Sequence, residues 1–476
     1  MDKTLSRSFH FIGIGGIGMS GIAEILHNQG QAVRGSDVSE NANVQRLVKL
    51  GIPISIGHDP DNVRGAQAVV ASSAISDENV EIVAARKNNI PVMTRGEMLA
   101  EVIRSKKAIA VSGSHGKTTT TSLISAILSE ANFDPTIING GILNTYQTNA
   151  KLGSGDWFVV EADESDGAFL KLPSTINVIT NIDCEHLTFY KTIENLEHAF
   201  FQFIRNLPYY GLGVVCSDHP RVRRMFCEEN SVIDRRLVTY GISSDSSFIP
   251  TLKGENIRFL ANGTIFDVTI SLDIPFTPKS AGCSNSVKVS DVFIPILGQH
   301  NVLNALAAIA VANELRISPE IYKSALASFQ GVKRRFTVLG KKRGVTFVDD
   351  YAHHPMEIQA VIAAARQTDA ARIIAIFQPH RYSRLSALFD EFVDVLSTAD
   401  TVIVLPVYAA GEAAMNGYTN EKVVEALKSR GNKNAYFCED QELPDLARKI
   451  AENRDFLVGL GAGSISEIIL SVYNLY

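Results

Sequence analysis

The chain has 476 residues, 45% of them hydrophobic and 20% charged, with a formal net charge of −6; this implies a globular protein of several domains and argues against nucleic acid as a partner. Its five cysteines, Cys184, Cys216, Cys227, Cys283 and Cys438, are odd in number and scattered, which fits free thiols in a reducing compartment better than a disulfide framework or a zinc site. No secretory leader and no stretch of about 18 apolar residues is visible, so a cytoplasmic location without membrane insertion is expected.

Residues 8–12 alternate as a strand, and Gly13-Ile14-Gly15-Gly16-Ile17-Gly18 reads as a glycine turn. A helix is predicted over 19–28, with Ile22, Ile25 and Leu26 inward and Gly30 as its stop. Asp37 follows about 20 residues downstream, where a dinucleotide fold keeps its ribose acid. By themselves these residues indicate a Rossmann-like domain for NAD(P) or another nucleotide, without deciding which. The strand 68–71 ends at Ser72-Ser73, and Val92-Met93 leads into Thr94-Arg95. Such hydroxyls and arginine either line a nucleotide pocket or serve as helix caps and a solvated cation.

Residues 108–111 form an apolar run, followed by Gly113-Ser114-His115-Gly116-Lys117-Thr118-Thr119 and a helical pattern in Leu123, Ile124, Ile127 and Leu128. Strand, glycine turn and helix in that order make a phosphate cradle. Backbone N–H groups converge on the helix start, Lys117 reaches phosphate oxygens from a solvent-facing loop, and the Thr118 hydroxyl can ligate Mg²⁺. ATP or GTP use is expected, although Val111 stands where the usual spacing has its first glycine. A second buried run, 157–160, ends in the acids Glu161, Asp163, Glu164 and Asp166, one of which can hold Mg²⁺ or stabilise a helix N-terminus. The run 176–182 ends in Asp183-Cys184-Glu185-His186, where His186 is a metal ligand or a structural residue. Residues 230–297 alternate as strands, most clearly at 264–270, and the serine-rich stretch 278–290 reads as an exposed loop. Gly298-Gln299-His300-Asn301 opens a helix over 302–315, its imidazole and amide meeting an adenine edge or capping the helix.

After Gly331 the run Lys333-Arg334-Arg335 precedes a fresh βα series. Residues 346–348 lead into Asp349-Asp350-Tyr351-Ala352-His353-His354-Pro355, and 373–377 into Gln378-Pro379-His380-Arg381-Tyr382-Ser383-Arg384; 401–407 and 456–458 supply further strands. Arg381 and Arg384 are close enough on a first helical turn to offer two guanidinium groups to a carboxylate. The alternative is solvated arginines beside a satisfied histidine pair.

Taken in order, GIGGIGMSG from 13, GSHGKTTT from 113, EADESD from 161, NIDCEH from 181, GQHNVLNALAA from 298, RRF from 334, DDYAHHP from 349 and FQPHRYSR from 377 resemble the Mur ligases over nearly the whole chain. The late glycine of the phosphate loop resembles that family's own variant. The resemblance implies an α/β protein of three domains: a Rossmann-like UDP-sugar-binding domain over 1–106, a central P-loop ATPase domain with a mixed sheet over 107–331, and a C-terminal Rossmann-like domain over 332–476. It also implies a reaction in which ATP phosphorylates the lactyl carboxylate of UDP-N-acetylmuramate and the amine of L-alanine attacks the acyl phosphate.

By motif, Gly113, Ser114, His115, Gly116, Lys117, Thr118 and Thr119 would take the ATP phosphates, Thr118, Glu161 and His186 would hold Mg²⁺, and His300 and Asn301 would lie at the adenine. Arg335 would contact phosphate, while His353, Arg381 and Arg384 would position L-alanine. Gly15, Gly16, Ile17, Gly18, Met19, Ser20, Asp37, Ser72, Ser73 and Arg95 would face the sugar nucleotide. The carbamylated lysine of many related ligases has no counterpart in 195–205, which resembles the alanine-adding branch. The sister ligase for recycled tripeptide resembles a different first glycine loop. An NAD(P) oxidoreductase or a nucleotide-binding regulator would leave the paired arginines, Lys117 and Glu161 without a task.

Overall fold

The computed structural model describes residues 7–72, 74–104, 106–228, 233–243, 248–260, 262–271 and 286–476, which build three α/β domains on three sheets. The first sheet runs Ile54–Ile56, Ala32–Asp37, Ser8–Ile12, Ala68–Ala71, Val92–Thr94, every pair parallel. Parallel pairing needs crossover helices, and these cover the sheet; hence Phe9, Phe11, Val69 and Val70 are apolar and buried whichever face they point to. Strand order reverses between Ser8–Ile12 and Ala68–Ala71, the switch point at which an open α/β sheet leaves a crevice for ligands.

The second sheet has the order Ser286–Ile294, Gly263–Ser271, Leu252–Leu260, Arg236–Gly241, Leu212–Cys216, Ile176–Ile179, Lys107–Ser112, Trp157–Glu161, Thr136–Leu143, Thr148–Lys151. It is the mixed sheet expected, with Thr148–Lys151 antiparallel at one edge and parallel pairs through the middle. The stretch read as an exposed loop over 278–290 is corrected in part: from Ser286 it is a strand, and 278–285 lie outside the described residues. Alternating Val287 and Val289, the latter buried, favour the extended backbone over the serine content. The third sheet runs Thr337–Lys342, Val345–Asp350, Asp455–Leu460, Arg372–Phe377, Thr401–Val404, Ala435–Phe437 and is parallel apart from its first hairpin. Among the described residues no helix is long and apolar enough to cross a membrane.

The chain divides into two compact units, Met1–Asn256 with Phe266–Val292 and Leu303–Gln330, and Ile257–Ile265 with Phe293–Val302 and Gly331–Tyr476. The first sheet and the phosphate-loop half of the second therefore share one unit. One apolar cluster runs through both, from Phe11, Ile22 and Met98 to Phe158, Phe169 and Phe200. The helix Ile193–Arg205 feeds it with Leu196, Ala199, Phe200 and Phe203, an apolar stripe at helical spacing. Polar clips reinforce the joint: Arg46 reaches Glu24, Thr148 and Asn149, and the Asn149 amide donates to the Ile17 carbonyl at 2.6 Å.

At this joint Gly96 has no room for a side chain, since a Cβ there would lie 2.2 Å from that of Ala168. Gly96→Ala is expected to destabilise the protein by about 1–3 kcal/mol through overpacking. Thermal unfolding checks it: the variant should melt below wild type, and an equal or higher melting temperature would contradict the tight contact.

Candidate active site

The phosphate loop links the buried strand Lys107–Ser112 to the helix Lys117–Glu130. Gly113 and Gly116 have φ of 130° and 81°, where a β-carbon is strained, and a Cβ on Gly113 would strike Thr180. The loop is fastened from the NIDCEH segment. Ser114 N–H donates to the Asn181 carbonyl at 3.1 Å, and His115 N–H to the Asn181 side chain at 2.7 Å. Thr180 Oγ1 and Asn181 Nδ2 donate to the His115 carbonyl at 2.6 and 3.0 Å. Thr118 is buried and Thr119 half-buried on the first turn.

Lys117 departs from the expectation of a solvent-facing loop. Its side chain is 15% exposed and folds back, with Nζ 2.8 Å from Glu164 Oε1, 2.5 Å from the Gly113 carbonyl and 3.1 Å from that of Ser114. Burial works against the ammonium, but the carboxylates of Glu164, Asp163 and Glu161 outweigh it and hold its pKa above the ordinary lysine value. The physical reason is topological: the strand Trp157–Glu161 pairs with Lys107–Ser112, Glu161 level with Val111, so the acid cluster emerges beside the loop.

Around that lysine, Glu161 accepts the Gly140 N–H at 2.8 Å. His186, at a left-handed φ of 58°, has Nε2 3.5 Å from Glu164 and 4.0 Å from Glu185. Ligand atoms of Glu164, Glu185 and His186 all lie within 4.8 Å of one another. Burial disfavours the imidazolium, yet the hydrogen bond and charge of Glu164, with Glu185 and Asp163, raise the His186 pKa. Tyr190 ties the cluster down, its hydroxyl donating to the Glu164 carbonyl at 2.5 Å.

The glycine turn of the first sheet is held as tightly. Asp37, buried at the end of Ala32–Asp37, accepts the Gly15 N–H at 2.8 Å and the Ser39 N–H at 3.2 Å. Its carboxylate clamps the turn, whereas the dinucleotide reading requires it to face a ribose. Gly16 caps the helix Ile17–Asn28, and Gly18 packs on Arg95, whose guanidinium lies 2.9 Å from where a Cβ would sit. Arg95 in turn donates to Asp163 at 3.1 Å. Thr94 proves to be the cap, closing a capping box with Glu97. Met19 and Ser20 are buried in the domain, and the Ser20 N–H donates to the Gly16 carbonyl at 2.8 Å within the helix. Ser72 is half-buried beside Gly13, with 3.2 Å between its Cβ and a Cβ built on that glycine. Ser73 lies outside the described residues.

In the second unit, Arg335 lies over the Tyr351 ring, 5.3 Å from its centroid, and 3.7 Å from Glu357. Glu357 also accepts the N–H groups of His353 and His354 at 3.0 and 3.3 Å, capping the helix Pro355–Arg366. His353 Nδ1 is 2.9 Å from the Tyr351 carbonyl, and its ring faces His380 at 6.0 Å. His380 stacks on Tyr408 and lies 3.3 Å from Arg384 Nη1. Arg381, exposed and at a φ of 68°, starts the helix Tyr382–Ala387. Burial lowers the pKa of His353, which Arg384 and Arg335 reinforce against Glu357, and burial with neighbouring His353 and Arg384 takes that of His380 down to about 4. Both shifts favour the neutral imidazole. Burial and Arg335 likewise take His300 down to about 4, while Asn301, inside the helix Gln299–Glu314, donates from its side chain to the Leu297 carbonyl at 2.7 Å.

Several residues that shape the site were not singled out from sequence. Glu164, Asn181 and Glu185 were inside quoted motifs, but nothing local distinguishes them from their neighbours. Asn304 faces Gly116 and accepts from Thr120 at 3.1 Å, and Glu357 organises the histidine segment of the second unit.

Three family models match the chain in succession: the Mur ligase family catalytic domain over 8–107, the Mur ligase middle domain over 111–312 and the Mur ligase glutamate ligase domain over 334–463. A UDP-N-acetylmuramate–L-alanine ligase of Sinorhizobium medicae is 50% identical over 98% of this chain and 96% of its own length. Its counterpart from Agrobacterium fabrum is 51% identical over 96% and 94%. The crystal structure of a UDP-N-acetylmuramate–alanine ligase from Thermotoga maritima superposes with a TM-score of 0.78 at 30% identity, covering 98% of both chains. Motifs, sheets and relatives agree along the whole length, and the chain belongs to the Mur ligase family.

Proposed function

We propose that this protein joins L-alanine to the lactyl carboxylate of UDP-N-acetylmuramate at the expense of ATP, a cytoplasmic step in making peptidoglycan precursors. The observation that carries this reading is the junction in the first unit. There the phosphate-loop lysine lies among Glu161, Asp163 and Glu164, and Asp163 is bonded to the Arg95 that packs under the glycine turn. The phosphate site and the sugar-nucleotide site thus meet at one cluster of charge, in a chain 50% identical to ligases of that activity.

In this reading the UDP portion lies along the glycine turn, with Gly15, Gly16, Ile17, Gly18 and Arg95 at its phosphates and Ser72 near the switch point. The ATP phosphates take the amides of 113–119, and His300 and Asn301 meet the adenine. Lys117 exchanges Glu164 for phosphoryl oxygens. The lactyl carboxylate oxygen then attacks the γ-phosphorus, its bond to ADP breaks, and an acyl phosphate forms. Lys117 offsets the charge that builds up during transfer, and Arg335, in the second unit, is assigned to phosphate by its motif alone. Arg381 and Arg384 grip the carboxylate of L-alanine, and His353, neutral, orients its amine toward the acyl carbon. Attack there expels inorganic phosphate.

The donor set also fits a divalent cation. Glu164, Glu185 and His186 converge within 4.8 Å; by motif we assign Thr118, Glu161 and His186 to Mg²⁺, of which His186 belongs to that converging group, with Glu164 as a further carboxylate once Lys117 turns to phosphate. When bound, the ion supplies charge neutralisation at phosphoryl oxygens.

Two variants test the assignments. Lys117→Ala should cut ligation on the order of a thousandfold and also lower the melting temperature, because it strands the buried Glu164. Adding Glu164→Gln should recover the stability and not the activity. A folded Lys117→Ala enzyme of near-normal rate would remove Lys117 from the chemistry. Arg381→Lys keeps the charge and loses the planar two-point grip; the KM for L-alanine should rise by about tenfold or more while that for ATP barely moves. Loss of ATP affinity with alanine affinity intact would reassign Arg381 to phosphate.

A further inference from the structure

Glu81 belongs to the helix Val80–Lys87 and is completely buried, yet no step above uses its carboxylate. Donors from three other elements surround it. Ser36 Oγ and Asn62 Nδ2 each lie at 2.6 Å, His58 Nδ1 at 3.0 Å, the Asp59 N–H at 3.4 Å and His10 Nε2 at 3.6 Å. Burial works against its charge, but His10, Ser36 and Asn62 outweigh that and hold the pKa down at about 2. Apolar packing of similar volume would join strand to helix without burying a charge. What the charge adds is a directed acceptor, shared by the Ser36 hydroxyl, which also lies 3.3 Å from His58 Nδ1, and by the Asn62 amide and Asp59 N–H.

That hydroxyl is one residue from the clamp on the glycine turn. The Ser36 carbonyl accepts the N–H groups of Gly13 and Ile14 at 2.9 and 3.1 Å, and Asp37 accepts that of Gly15 at 2.8 Å. Three consecutive amides are therefore aimed by two residues, and Glu81 grips one of them by its side chain. We propose that Glu81 is a positioning residue for the sugar-nucleotide loop: through Ser36 it sets the strand end that orients the turn, and so governs affinity for the UDP-sugar without touching it. The inference rests on the reading that the glycine turn binds that substrate. Sub-ångström placement of supporting groups is what separates a tight site from a loose one.

Steady-state kinetics on the full chain, varying UDP-N-acetylmuramate, ATP and L-alanine in turn, test this. Glu81→Gln should raise the KM for the sugar nucleotide by about tenfold while kcat and the KM for ATP stay within about twofold. Ser36→Ala should shift the same constant, and the double variant should be no worse than Glu81→Gln, because both cut one link. An additive double variant, or a fall in kcat with the sugar-nucleotide KM unchanged, overturns the proposal. If Glu81→Gln does not fold, Ser36→Ala decides alone, and an unchanged KM overturns it. Gly15→Ala separates the proposal from the reading beneath it, since a Cβ there would lie 2.6 Å from Asn41 Nδ2 and distort the turn. If this variant also leaves the KM unchanged, the turn is not the sugar-nucleotide site. If it raises the KM while the Glu81 and Ser36 variants do not, only the positioning role fails.

Discussion

The ammonium of Lys117, 2.8 Å from Glu164 and flanked by Asp163 and Glu161, is the interaction on which the site of the first unit turns. A half-enclosed cation and three carboxylates are tolerable only as a set, since removing one member of a buried pair leaves a charge uncompensated at a cost on the order of 3–5 kcal/mol. The arrangement also stores the right charges for phosphoryl transfer. A polyphosphate can replace Glu164 as the partner of Lys117, and the carboxylates so released are the hard oxygen donors that a divalent cation prefers. In the reaction proposed, the same atoms serve stability without nucleotide and electrostatics with it.

Around that centre the chain invests in holding loops still. Asn181 uses both its backbone and side chain on the phosphate loop, and Asp37 with Ser36 aims three amides of the glycine turn. The two loops are linked within one compact unit, since Gly18 packs on Arg95 and Arg95 bonds to Asp163 in the acid cluster. A ligase of this kind must bring two phosphate-bearing molecules together without mutual repulsion, and an arginine between their loops is suited to that. The second unit shows a different emphasis. Burial there lowers the pKa of His353 and His380 beside Arg381 and Arg384; in the reaction proposed, that group offers cations for a carboxylate and an uncharged imidazole for an amine.

The parts that were legible in the sequence are those whose logic is local. A strand followed by glycines and a helix identifies both loops, because the turn geometry and the amide donors are set within about ten residues. The hidden parts are pairings between segments distant in the chain. Lys117 and Glu164 are 47 residues apart, Arg95 and Asp163 68, Ser36 and Glu81 45, and Thr120 and Asn304 184. Nothing in the spacing of GSHGKTTT reveals that an acid cluster will land on its lysine, which is why Lys117 was expected in solvent. From Ser286 on, the loop expected over 278–290 gives way for another reason: serine content spoke for a loop while the valine alternation after Ser286 spoke for a strand.

In the reaction proposed, the lactyl carboxylate is activated by phosphorylation before L-alanine attacks. That activation is tested most directly by labelling both carboxylate oxygens of UDP-N-acetylmuramate with ¹⁸O and measuring the mass of the phosphate released during ligation. Each inorganic phosphate should carry one ¹⁸O atom, because the oxygen that attacked phosphorus leaves with it. Unlabelled phosphate would mean that no acyl phosphate forms, and the charge cluster around Lys117 would need another purpose.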